Sequence, residues 1–241
     1  MLGFRRDGDA FVARLRPSER PVLLDVVDGV VDLFGEVAAP GDDLDPFARL
    51  TFTADEVPVP ADPALHRLLP DASPDPGLAG ELRRLTEGDL RVAKVAKLRR
   101  LRAALQQAEP DIVVVPSEAA DVAAALTDVR LVLASRLGLE TDEQAEEVYA
   151  LAAATTSPAD DEAATRRFLA AVYSVLTELQ ESLLTLLIAD LPPDPGEPAP
   201  PGDESGPQGS PADPPADPPA DPPAPPADPP DDPPRSGRHR R

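Results

Sequence analysis

Cysteine and tryptophan are absent from the 241-residue chain, aromatics make up 3% of it, and there are two histidines. Without cysteine there is no disulfide, zinc–thiolate site, iron–sulfur ligation or thiol nucleophile. Oxidant sensing through the chain's own thiols is excluded as well. His66 and His239 lie far apart in sequence, and neither has a second histidine nearby to begin a metal cluster. Oxygen-only cation sites need carboxylates at set spacings around a turn glycine, and the many acids follow no such spacing. No serine sits in a nucleophile-elbow pattern, and no glycine-rich loop follows a strand and opens a helix. A carboxylate-pair hydrolase is not addressed by spacing, because separation in space is not legible in sequence. The expectation is a protein that is not an enzyme and carries no cofactor.

Long apolar runs are also missing. The longest, near Leu183 to Ile188, is interrupted by Thr185 and closed by Asp190, well short of the ~20 residues that span a bilayer. The N-terminus, Met1 to Asp7, is charged and has no apolar core of a signal peptide. A cytoplasmic protein without membrane contact is expected.

What the chain has in excess is acid and proline. From Pro192 to Arg241 lie 20 of the 33 prolines, and no Val, Ile, Leu, Phe, Tyr or Met. Such a segment cannot bury enough apolar surface to offset chain entropy. A disordered tail over 192–241 is therefore expected, after one domain over 1–191. The tail repeats Pro-Ala-Asp-Pro from Pro211 and ends in a basic tip, Arg235 to Arg241. As a polyproline II chain it would reach about 150 Å at ~3.1 Å per residue, and it reads as a solubilising extension. Net charge is −21; the tail's 10 acids and 4 arginines account for −6, leaving −15 on the domain. A field of that sign repels phosphate backbones at long range.

The periodicities predict a predominantly α, α+β domain of about six helices with a small N-terminal β-hairpin plus one short strand. Asp7-Gly8-Asp9 is the hairpin turn. Ser18 is placed as the cap of a helix running to Gly35, with Val22, Leu23, Val26, Val27, Val30, Val31 and Phe34 on its apolar face. Residues 38–61 read as a long loop, followed by a short helix over Pro63 to Leu69. The stretch Leu78 to Ala108 is expected as two helices, because Thr86-Glu87-Gly88-Asp89 resembles a capping box. Ile112 to Val115 reads as a strand pairing with the hairpin. Ser117 caps the next helix, ended by Gly138, and Thr141-Asp142-Glu143-Gln144 opens another, to about Ala154. In the last helix, about Glu162 to Leu191, Leu169, Val172, Leu176, Leu179, Leu183 and Leu186 recur in steps of three and four. That pattern fits a core helix or the seam of a homodimer.

One cluster stands out electrostatically. Eight of the domain's 19 basic side chains, both lysines of the chain included, fall between Arg83 and Arg102. On a helix, Leu90, Leu98, Leu101 and Leu105 would form the buried stripe. Arg91, Arg99 and Arg102 would share one flank, Lys97 and Arg100 the other, and Lys94 would snorkel from within. The cluster is either neutralised by the protein's own acids or forms a docking surface for an acidic partner. Arg91, Lys94, Lys97, Arg99, Arg100 and Arg102 are the candidate partner-binding residues. Nucleic acid is disfavoured by the overall acidity, although a local patch acts at contact distances within ~8–10 Å.

Four segments carry a resemblance. They are Asp62-Pro63-Ala64-Leu65-His66-Arg67-Leu68-Leu69-Pro70-Asp71; Leu85-Thr86-Glu87-Gly88-Asp89-Leu90-Arg91 with Lys94 and Leu98-Arg99-Arg100-Leu101; Leu126-Thr127-Asp128-Val129-Arg130-Leu131-Val132-Leu133 with Arg136-Leu137-Gly138; and Tyr173 with Leu176-Thr177-Glu178-Leu179-Gln180-Glu181-Ser182-Leu183. In this order, over about residues 4–190, they resemble an actinobacterial domain-of-unknown-function family that includes the oxidative-stress regulator AosR. The resemblance implies a cytoplasmic regulator acting by protein contact with the transcription machinery, a sigma factor or RNA polymerase. The alternatives it leaves are an accessory protein of Clp-dependent proteolysis and a weak DNA-binding regulator. The lack of cysteine departs from a thiol switch, so any redox signal would come from a partner.

Overall fold

The computed structural model describes residues 2–35, 57–107 and 110–191. Most of the expected loop over 38–61 and the whole tail from Pro192 lie outside them.

Strand β1 (Leu2–Asp7) turns at Gly8, φ 58°, into β2 (Ala10–Arg14), and β2 pairs antiparallel with β3 (Asp111–Val114). The order β1-β2-β3 is the expected hairpin plus strand. Arg5 pairs with Val12, Phe11 with Val114 and Ala13 with Ile112, so Phe11, Ala13, Ile112 and Val114 all face the core. The register shifts between Leu2 and Arg5. There the Phe4 N–H donates to Ser182 Oγ at 2.8 Å, and a Cβ on Gly3 would lie 2.8 Å from that oxygen. Glycine is what lets β1 approach the last helix this closely.

Helix α1 (Glu19–Leu33) begins one residue past Ser18, whose side chain makes no capping bond. The Glu19 carboxylate instead accepts from the Arg16 N–H at 2.7 Å. Arg20 is buried and donates to the carbonyls of Leu105 and Asp111, tying α1 to the approach to β3. Asp62 caps α2 (Pro63–Leu68) through the Ala64 N–H.

The expected break at Thr86 is absent: α3 (Pro76–Gln107) is one helix of 32 residues. Thr86 bonds back to the Leu82 carbonyl, and Glu87 is buried between Arg83 and Arg91, one turn to either side. These contacts hold the helix through Gly88. The expected buried stripe is present at Leu98, Leu101 and Leu105, joined by Val95, but Leu90 is 39% exposed. In α4 (Pro116–Leu137) Pro116 occupies the first turn and Val115 the cap, two positions before the expected cap Ser117, in keeping with proline's place at a first turn. Gly138 ends α4 in the left-handed conformation, φ 71°. Helix α5 (Asp142–Ala153) opens on the capping box of Thr141 and Gln144.

Helix α6 (Asp161–Ala189) packs against α4, α5 and β1. Val172, Leu176, Leu179 and Leu183 are buried in the core, while Leu169 and Leu186 lie at its margin. The repeat expected as a core stripe or a dimer seam thus faces the protein's own interior. By length and composition α6 could cross a membrane, as a core helix of this kind also could. Four side chains buried at about 1.5–3 kcal/mol each make it a principal support of the fold.

Candidate partner-binding helix

Helix α3 lies between α1 and α4, and its basic residues divide by the neighbour they reach. Towards α1, Arg102 Nε lies 2.5 Å from Asp28 Oδ1, and Arg91 donates to the Phe34 carbonyl at 3.0 Å and to Glu87 at 2.9 Å. Towards α4, Lys94 Nζ is 2.6 Å from Asp128, Lys97 Nζ is 3.8 Å from Asp121, and Arg100 pairs with Asp121 and Glu118. The Asp28 carboxylate, by hydrogen bonding and by its charge, raises the Arg102 guanidinium above its ordinary pKa. Five of the six candidate cations therefore neutralise the protein's own acids. Arg99 is exposed and has no hydrogen-bond or ion-pair partner among the described residues.

Beside this surface lies a buried charged ladder. Arg83, 7% exposed, donates to Glu87 Oε2 at 2.8 Å and pairs with Asp71 on the loop before α3. Burial alone would lower the Arg83 pKa, but Glu87 and Asp71 outweigh it and the pKa is raised. His66 Nε2 faces Asp71 at 3.5 Å and has no hydrogen-bond partner. Sequence reasoning missed this ladder. Its signal was the spacing of Arg83, Glu87 and Arg91 at i, i+4 and i+8, which competed with a capping reading of the same residues.

A second polar cluster joins α4 to α6. Arg130 donates to Gln180 and to the Tyr173 hydroxyl and lies 5.1 Å over the Tyr173 ring, and Gln180 donates to Thr127 at 2.6 Å. Among the described residues no group of three His, Asp or Glu is arranged to hold a metal ion. Two open surface depressions lie among the described residues. One is lined by Leu15, Arg16, Pro17, Arg20 and Pro110, and one lies between Val22 on α1 and Phe168 on α6.

A family model described as a domain of unknown function, DUF2017, matches residues 1–187. The chain belongs to the DUF2017 family. The match takes in the sheet, α1 to α5 and all but the end of α6, so this DUF2017 domain includes both polar clusters. No curated protein and no solved structure matches the chain. The four segments singled out in the sequence meet in space: the first and second where His66 and Asp71 approach the ladder, the second and third at Lys94 and Asp128, the third and fourth at Arg130, Tyr173 and Gln180.

Proposed function

We propose that this DUF2017 protein is a non-catalytic cytoplasmic regulator that works by protein–protein contact, with the solvent face of α3 as its contact surface. One observation carries the reading. Leu78 and Leu85 are 53% and 52% exposed on α3, and Arg99, on the same side of the helix, has no partner among the described residues. An apolar face left in water beside an unpaired arginine is the composition of a contact patch rather than of a neutral surface. The resemblance to the family of AosR supports placing that contact in the oxidative-stress response, at a sigma factor or RNA polymerase. Direct duplex binding is less well supported, because five of the six clustered cations already hold the chain's own carboxylates.

The test is affinity capture by the full chain from its native lysate, with and without nuclease, read by mass spectrometry. Sigma factor or RNA polymerase retained after nuclease is the expected result. Loss on nuclease treatment would move the reading to DNA, and Clp subunits in their place would replace it with an accessory role in proteolysis.

A further inference from the structure

The outward face of α3 has an order that its core face does not explain. Leu78, Leu85, Val92 and Arg99 recur every seven residues, and Leu82, Asp89, Ala96 and Ala103 follow each of them by four. On a 32-residue helix that drifts by about 20° per heptad, both series stay on one side. It is the side opposite Val95, Leu98, Leu101 and Leu105, which are buried. None of the eight is buried: Leu78, Leu85, Asp89 and Arg99 are exposed, and Leu82, Val92, Ala96 and Ala103 are partly so. This is the spacing of a two-helix seam, carried on a helix whose other side is already packed.

The two charges say what fits it. Asp89 and Arg99 are ten residues apart on this face, and neither has a partner among the described residues. A second α3 laid parallel and in register would set Asp89 against Asp89 and Arg99 against Arg99. Laid antiparallel about a two-fold axis between Val92 and Ala96, it sets Asp89 against the other copy's Arg99, twice by symmetry. The same register sets Leu85 against Ala103 and Val92 against Ala96, a large side chain against a small one in each layer. Ala93 and Gly88, both exposed, leave room for the two helices to approach, and a Cβ built on Gly88 meets nothing. Unpaired opposite charges at seam positions fix register and orientation.

We infer that the solvent face of α3 is a self-association surface, on which a second copy of this chain packs antiparallel through Leu85, Asp89, Val92, Ala96, Arg99 and Ala103. The contact runs from residue 85 to 103, about 27 Å at ~1.5 Å per residue. That is a small interface, so the dimer dissociates on dilution. A foreign partner would meet the same residues, so the dimer and a complex with that partner are alternative states of one face, and self-association is measured with this chain alone.

The full chain and its D89R and R99D variants are examined by sedimentation equilibrium, alone and mixed, over about 1–100 µM, where small interfaces dissociate. Both positions are exposed and helical, so far-ultraviolet circular dichroism should be the same for all three. The wild-type chain is expected to move towards twice the chain mass. D89R puts two cations on the face and R99D two carboxylates, so each alone should associate at least about tenfold more weakly. Mixed in equal amounts, they present opposite charges at both contacts and should form a dimer as the wild type does. A wild-type chain that stays monomeric throughout would overturn the proposal. So would a mixture that associates no better than either variant alone.

Discussion

Lys94 Nζ on α3 lies 2.6 Å from the carboxylate of Asp128 on α4, and Asp128 is 4% exposed. This pair ties the basic helix to the helix that α6 packs against. Removing the cation strands a charge in the interior. K94M should therefore destabilise the fold by about 3–5 kcal/mol, whereas K94M with D128L, which removes both charges, should recover most of that loss. Urea unfolding of the two variants beside the wild type measures both effects. A single variant as stable as the wild type would mean that the pair is not buried in solution.

Glu87 is the shared partner of Arg83 and Arg91. E87A should cost about 2–4 kcal/mol, since Arg83 is left buried with only Asp71 beside it. Loss of protection of α3 amides near Gly88 in hydrogen exchange would locate the damage, because the ladder is what carries the helix through that glycine.

Arg99 predicts the opposite. Having no partner among the described residues, R99E should change folding stability by no more than about 0.5 kcal/mol. Reversal of Arg100 or Arg102 breaks an ion pair with Asp121 or Asp28 and mixes folding with binding. Thermal unfolding of the three single variants separates Arg99 from the other two.

Acid should weaken the fold through specific carboxylates. The Asp62 pKa is lowered by its hydrogen bond to Arg136 and by the Ala64 N–H, and the Asp111 pKa by its hydrogen bond to Arg14. A carboxyl with a folded pKa below its unfolded value contributes stability in full above about pH 4, and loses it as the pH falls through the folded pKa. Stability should then fall from about pH 4 downward. D62N keeps a side-chain oxygen for the cap and gives up the charge, so it should make that fall shallower. Denaturant midpoints at a series of acid pH values give the slope.

Local signals made most of the fold legible. Asp7-Gly8-Asp9, Gly138 and the Thr141–Gln144 box each satisfy backbone groups within a few residues, and each is where the sequence puts it. The errors came where two local signals competed. Thr86 and Glu87 could cap a helix or continue one, and the ladder with Arg83 and Arg91 decided for continuation. Pro116 displaced Ser117 from the cap because proline fits the first turn. The site was less legible, because what decides it is distant in sequence. Asp28 and Asp128 lie 74 and 34 residues from Arg102 and Lys94, and nothing in the spacing of the basic cluster shows which cations they take. The repeat in α6 and the repeat in α3 look alike as strings. Only packing shows that the first faces the core and the second faces water.

The most direct test of α3 as the contact surface compares three full-length baits, each with one exposed side chain changed: L85D and R99E on α3, and F168D on α6, where Phe168 is 47% exposed. Each is used to capture protein from the native lysate beside the wild type. Loss of the captured partner with L85D and R99E but not with F168D is the predicted result. Capture that survives both α3 changes and fails with F168D would contradict it, and would place the contact in the depression between α1 and α6.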